Sequence, residues 1–374
     1  MLKTVAKHIL LVGAILMLAC MILMSTQIAH PAEKPTSDFY HKNITQSKDR
    51  FEINPRFVNG DSNILYLVFT GDPFTPQPWN YKLEKSNMEG QSRISLTSSG
   101  IIYYQVSGNA RKVFLLRSAG DRQVEKFLDC ETNTEIKDWQ VFELDLQTGE
   151  KQEVAAANGR SISEGYKLLG LETGLDVSDQ YFSKSTQGSN KILVKRRFSE
   201  KNGFISFQYF KNDGSPETVF KTEAWKPYAH LSWLPTITWL NETSFVTLGF
   251  QSSFNKKSPQ SGGSFSIVKV DIEEGIELLY KDSRIHPFPK MVMAPNGIEL
   301  FFRKLENRDT TQLWRLNIIT KEADLIYSVC GDLGEPRFSK NGSSMVFTLL
   351  SNNNSEIIRF DLERDNTGRI ASRE

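Results

Sequence analysis

Histidines, cysteines and acidic residues are the side chains with which this chain of 374 residues could do acid–base, metal or nucleophilic chemistry. Of five histidines, His8, His30 and His41 fall in or beside the N-terminal leader, leaving His230 and His286 in the body. No His-Glu-x-x-His, Gly-x-Ser-x-Gly or Walker-type loop is present. The three cysteines, Cys20, Cys130 and Cys330, show no Cys-x-x-Cys or Cys/His spacing. No metal site and no cofactor is therefore expected, and Cys130 and Cys330 read as unpaired thiols or, in an oxidising compartment, as a disulfide pair. The 44 acidic residues offer no pair that spacing alone could single out. The residue types favour a binding module over an enzyme.

Binding chemistry is better represented. Phe74, Trp79, Trp225, Tyr228, His230 and Trp233 lie in loops between apolar runs. Rings with polar handles suit a partner surface or sugar stacking. The competing reading is that the same rings pack beneath their own loops. The formal net charge is +1, which removes the electrostatic case for a nucleic-acid partner.

The N-terminus carries its own signal. Lys3, Lys7 and His8 precede an uncharged stretch from Ile9 to Ala29. A charged start followed by an apolar run marks a secretory signal or anchor, and the run is long enough to cross a bilayer as a helix. The lysines keep that end in the cytoplasm, so residues 31 onward would be exported, to the periplasm or the cell exterior. Three fates stay open: a retained anchor, cleavage near Ala29 or Ala32, or a lipid anchor on Cys20. Residues 1–30 are read as signal or anchor and 31–38 as a tether.

Beyond the tether the pattern is that of strands. Short runs rich in Val, Ile, Phe and Tyr are bounded by Gly, Asn, Asp and Ser. Ile64–Phe69, Lys112–Leu116, Phe204–Phe210 and Ser244–Phe250 are examples. A repeat emerges near the C-terminus, where Asn296-Gly297 and Asn341-Gly342 each precede a strand, a polar loop and a second strand ending in Asn317 or Asp361. Tracing that closing strand backward gives six markers ending at Glu84, Asp145, Lys211, Asp271, Asn317 and Asp361. A repeating unit of this length cannot bury both its faces alone, so the units must stack.

The segments Gly334-Glu-Pro-Arg-Phe-Ser-Lys-Asn-Gly342 and Phe288-Pro-Lys-Met-Val-Met-Ala-Pro-Asn-Gly297 resemble the WD40-like (PD40) β-propeller repeat of the TolB family. The resemblance is sharp over residues 287–361. It implies an all-β, six-bladed β-propeller of four-stranded antiparallel blades, at about 54–95, 96–158, 159–224, 225–285, 286–331 and 332–374. Only residues 362–374 follow the last marker, so a strand from 39–53 is expected to close the ring. An exported, membrane-tethered scaffold that binds a protein partner in the cell envelope is the expected function. An envelope carbohydrate-binding protein or glycan-active enzyme, working in the axial funnel, is the alternative.

Overall fold

The computed structural model describes residues 41–46, 50–69, 81–108, 110–118, 139–157, 180–185, 188, 190–198, 203–210, 214–224, 235–252, 263–286, 291–307, 309–351 and 354–362. Among them every regular element is a strand. No helix among the described residues is long and apolar enough to cross a membrane, and the expected anchor, with Cys20, lies outside them.

β1 (His41–Asn43) comes first, alone. One sheet then contains β2 (Phe51–Val58), β3 (Asn63–Phe69), β4 (Lys82–Asn87) and β5 (Ile94–Ser95). The second contains β6 (Ile101–Val106), β7 (Lys112–Ser118), β8 (Trp139–Asp145) and β9 (Lys151–Ala157). The third contains β10 (Gln180–Lys184), β11 (Lys191–Phe198), β12 (Gly203–Phe210) and β13 (Pro216–Glu223). The fourth contains β14 (Thr238–Trp239), β15 (Ser244–Ser252), β16 (Gly263–Asp271) and β17 (Gly275–Asp282). In the fifth, β18 (Ile285–His286) and β19 (Val292–Met293) both pair with β20 (Glu299–Leu305), followed by β21 (Thr310–Asn317) and β22 (Ala323–Cys330). In the sixth, β23 (Asp332–Leu333) and β24 (Arg337–Phe338) pair with β25 (Ser344–Ser351), which pairs with β26 (Asn354–Asp361). β1 returns to complete that sheet, with His41 opposite Phe360 and Asn43 opposite Ile358.

The closing residue of the repeated strand has a mechanical job. Asp145 Oδ1 accepts the backbone N–H groups of Gln147 and Thr148, Asp271 Oδ1 those of Glu273 and Glu274, and Asn317 Oδ1 those of Ile319 and Thr320. Each is an Asx turn that reverses the chain between the third and fourth strands. The register also shifts at one repeated place, between Val141 and Phe142, Phe207 and Gln208, Ile267 and Val268, and Leu313 and Trp314. A bulge always three residues before the closing position shows that the second to fifth sheets are copies of one device. At the Asn-Gly turns, Gly297 and Gly342 take φ of 69° and 70°, which is the reason for glycine there.

Most neighbouring sheets bury apolar faces against each other. Leu65, Leu67 and Leu83 of the first meet Tyr104, Val113 and Leu115 of the second. One continuous core runs from Ile192, Val194 and Phe207 through Phe245 and Ile267 to Leu300, Phe302 and Trp314, across the third, fourth and fifth sheets. Phe301 and Leu313 of the fifth meet Met345, Phe347 and Phe360 of the sixth. The last core joins the ends: Ile64, Tyr66 and Val68 of the first sheet pack with Val346 and Ile357 of the sixth and with Ile44. Contact between the first and last sheets brings the two ends of the series together, and a ring of four-stranded meanders is a β-propeller.

A polar clasp secures that junction. Ile44 N–H donates to Ile357 O at 2.8 Å, and Ile357 N–H donates to Thr45 Oγ1 at 2.9 Å. Ser355 Oγ donates to Glu52 O at 2.9 Å. Glu52 is buried, with Arg50 and Arg93 on either side of its Oε1 at 4.0 and 3.8 Å. Gly90 sits so close to the returning chain that an added Cβ would meet Ile44 O at 2.1 Å. Cys330 is an exposed free thiol; Cys130 lies outside the described residues.

Candidate functional site

The tripeptide Pro-Arg-Phe occurs twice, as Pro55-Arg56-Phe57 and Pro336-Arg337-Phe338. The copies lie on β2 and β24, the axis-side strands of the first and sixth sheets. Their phenylalanines pack backward onto the preceding sheet: Phe338 meets Phe301 edge-on at 5.1 Å, and Phe57 joins the core shared with the sixth sheet. Alternation along a strand then sends the arginines the other way, toward the first and second sheets.

Arg56 is aimed by an irregularity. The pairing of β2 with β3 shifts register between Ile53 and Arg56, and Asn54 takes a φ of 57°. Bulges re-aim side chains, and a non-glycine residue at positive φ is a strained position. The strain is held by Tyr104, fully buried, whose single hydroxyl proton is shared between Leu65 O at 2.8 Å and Asn54 O at 2.5 Å. Burial pushes the Tyr104 phenol far above its ordinary value, so it stays a neutral donor.

Arg56 Nη2 makes only a long contact, 3.4 Å, to the Tyr103 hydroxyl. Its Nε is buried and has no hydrogen-bond partner among the described residues. Arg337 Nη2 donates to Glu335 Oε2 at 2.6 Å. Burial, with Arg56 adding to it, brings the Arg337 guanidinium down to about 10. Arg337 therefore stays charged at neutral pH. The cluster can hold an anionic or hydrogen-bond-accepting group but cannot shuttle a proton there.

His286, the body histidine inside the described region, has a different setting. Its Nδ1 lies 2.6 Å from Arg303 Nη2. A guanidinium only donates, so Nδ1 accepts and a neutral ring carries its proton on Nε2. Arg303 Nη1 donates to Leu333 O at 3.0 Å and pairs with Asp332. Burial lowers the Arg303 guanidinium to about 10. This constellation links the fifth sheet to the sixth. Among the described residues no group of three or more His, Cys, Asp or Glu could hold a metal ion.

Phe74, Trp79, Trp225, Tyr228, His230 and Trp233 all lie outside the described residues. Sequence reading missed Arg56, Tyr103, Glu335 and Arg337. The signal was present: Glu335 and Arg337 stand inside the segment that reveals the repeat, and Pro-Arg-Phe recurs ahead of Asn59-Gly60 as it does ahead of Asn341-Gly342.

Sheet order, the meeting of first and last sheets and the repeated turns define the fold class, a β-propeller. No family model matches the chain, and no curated protein matches it. Among solved structures it is similar to TolB from Acinetobacter baumannii, at 14% identity over 84% of this chain and 66% of that one, with a TM-score of 0.40. It is also similar to the β-propeller domain of the Trilobed protease from Pyrococcus furiosus (14% identity, 85% of this chain and 86% of that one, TM-score 0.35). A TolB from Agrobacterium tumefaciens, described as putative in its source, is similar at 13% identity over 72% and 78%, with a TM-score of 0.34. The chain thus spans just under two thirds of the Acinetobacter protein's length. These likenesses concern the fold.

Proposed function

We propose that the protein is an exported, membrane-tethered, six-bladed propeller of the cell envelope that works as a binding module for a protein partner. The carrying observation is the polar character of the described axis-side strands, where Arg56 lies beside Tyr103 and Arg337 beside Glu335. Half-buried arginine beside tyrosine is the composition of protein-binding hot spots. The loop aromatics Phe74, Trp79, Trp225, Tyr228, His230 and Trp233 would add apolar contacts around that centre. Export and tethering rest on the apolar stretch from Ile9 to Ala29 behind Lys3 and Lys7.

Two measurements test the reading. Protease added outside spheroplasts should digest the body of the chain, and the chain should sediment with membranes. Cross-linking in intact membranes should then join the wild-type propeller to one defined protein, and Arg56→Ala with Arg337→Ala should lose that adduct while keeping the wild-type circular dichroism spectrum. An adduct that persists in the double variant, or specific retention on a glycan column with no protein adduct, would refute the proposal.

A further inference from the structure

We infer that the face of the third sheet turned toward the second is a docking surface for an extended acidic segment of the partner protein, with two carboxylates four residues apart and an apolar side chain midway; the inference rests on the binding-module reading and gives that partner its chemistry.

Alternation divides the third sheet into two faces. Ile192, Val194, Ile205 and Phe207 are buried in the core shared with the fourth sheet. The residues between them on β11 and β12 point the other way, and strand register sets them in rows. Lys184 stands opposite Lys191. Phe182 stands opposite Leu193, and Leu193 opposite Gln208. Lys195 stands opposite Ser206, and Ser206 opposite Lys221. Lys184, Lys191, Lys195 and Lys221 therefore share one face. Three of them are exposed and Lys195 is half-buried. None pairs with a carboxylate among the described residues, and Lys221 lies 3.9 Å from the centre of the Phe204 ring. Glu223, opposite Phe204, is the described acid on the same face. Like charges directly opposite each other destabilise a sheet, and an anion reaching Lys184 and Lys191 removes that cost.

The neighbouring sheet does not close this face. Buried apolar cores join the first sheet to the second, the third through the fourth to the fifth, the fifth to the sixth and the sixth to the first; among the described residues none spans the second and third. Phe182 is 50% exposed there, its ring 6.0 Å from that of Phe210, while Leu193 beside it is buried. Glu143 of the second sheet stands in register with Phe114 and is already held by Lys112 at 2.6 Å. Spacing then selects the ligand. Lys191 and Lys195 are four residues apart on one strand, which is about 13 Å. An extended peptide laid along β11 repeats that distance between its residues i and i+4, and it turns i+2 to the same side, over Phe182. On a helix, i and i+4 are only about 6 Å apart and cannot reach both lysine rows. An ammonium is a point charge that accepts carboxylates from many angles, so the distance between rows carries the selectivity.

The test uses the purified full chain in detergent with the peptide acetyl-Glu-Ser-Phe-Ser-Glu-amide as probe. Its controls are acetyl-Glu-Glu-Phe-Ser-Ser-amide, of the same composition and charge, acetyl-Gln-Ser-Phe-Ser-Gln-amide, and a sulfated tetrasaccharide. Binding is read by titration of the lysine Nζ resonances at matched ionic strength. The probe should bind at least about fivefold more tightly than its isomer, the glutamine peptide should not bind, and added salt should weaken the probe. Lys191→Gln and Lys195→Gln should each weaken it about threefold, the scale of one exposed ion pair, and all four lysines changed to Gln at least about thirtyfold. Phe182→Ala should weaken it about fivefold. Lys151→Gln, exposed on the outer strand of the second sheet, should leave it unchanged. Exposed lysines carry little of the fold, so the glutamine variants should keep the wild-type circular dichroism spectrum; Lys195→Arg, which keeps the charge, should retain binding. No binding of the probe, equal binding of the two isomers, tighter binding of the tetrasaccharide, or unchanged affinity in the lysine variants would overturn the surface. If the peptides behave as expected but no membrane protein cross-links to the propeller, the binding-module reading falls while the surface stands. If the adduct forms undiminished with all four lysines changed to Gln, the surface falls while the binding-module reading stands.

Discussion

Lys304 offers a sharp test of how the fourth and fifth sheets are joined. Its side chain is 1% exposed, and Nζ stands 2.9 Å from Asp282 Oδ2. Nζ also donates to the Tyr280 hydroxyl and lies 3.4 Å from the centre of the Trp314 ring. Asp282 and Tyr280 come from β17, Lys304 and Trp314 from the next sheet. Asp282→Asn removes the counter-charge and leaves an ammonium out of water, which costs about 3 kcal/mol even with the rings beneath it. Lys304→Met removes the charge and keeps most of the volume. Asp282 then still holds Arg284 Nε and Nη2 at 3.2 and 3.1 Å, so the loss should be about 1 kcal/mol. The double variant should resemble Lys304→Met and be more stable than Asp282→Asn, a coupling of about 3 kcal/mol read from urea denaturation of the four proteins at pH 7. Losses that add to within about 0.5 kcal/mol would refute the reasoning. Acid gives an independent reading. Burial alone would raise the Asp282 carboxyl, but hydrogen bonds from the Arg284 side chain and backbone and from Lys304 bring it from 3.8 to about 2. A depressed carboxyl stabilises the fold above its unfolded value, and that stabilisation is lost as pH falls from about 4 through 2. The wild type should lose about 2 kcal/mol over that window and Lys304→Met less.

Three other perturbations follow from the same contacts. Thr222→Val should cost about 2 kcal/mol by urea denaturation, because Thr222 Oγ1 donates to Phe250 O at 2.9 Å and accepts from Phe250 N–H at 2.6 Å, both buried; a loss under about 0.5 kcal/mol would show that the third and fourth sheets do not depend on it. Gly90→Ala combines a φ of +74° with a Cβ 2.1 Å from Ile44 O, so limited proteolysis should cut the variant near residues 44–50 at least tenfold faster than the wild type. A chain beginning at Arg50 lacks β1 and bares the outer edge of β26; it should form oligomers in sedimentation experiments where the longer chain does not.

The repeated strand was legible because its constraints are local. A β pattern ending in Asp or Asn ahead of a turn needs no knowledge of distant residues, and the Asx turns at Asp145, Asp271 and Asn317 are what that ending encodes. The clasp was legible only as a need for one more strand. Nothing local to His41–Asn43 marks it as a partner of Ile358–Phe360, since the pairing is fixed by burial of Ile44 and by the polar ties of Thr45 and Glu52. The arginine cluster was hidden for a related reason. Arg56 and Arg337 look like ordinary charges in a polar chain until β2, β6 and β24 are placed side by side, and Val292 occupies in the fifth sheet the strand place that Arg337 holds in the sixth. Loop aromatics attract notice by their type, whereas convergence is a property of three strands from different repeats.

Pairing His41–Asn43 with Ile358–Phe360 also sets an order in time. The first described strand must wait for the last described one to be made. At about 5–20 residues per second, that wait is of the order of half a minute. Through it the sheets can form one after another from local contacts, but the ring stays open and Ile44, Tyr66 and Val68 face solvent. Bringing those distant ends together costs about 5 kcal/mol of loop entropy if the intervening chain is disordered, and far less once the sheets have already curved it round. Closure is thus a late, single event, and a chain caught before it is open-ended on both sides.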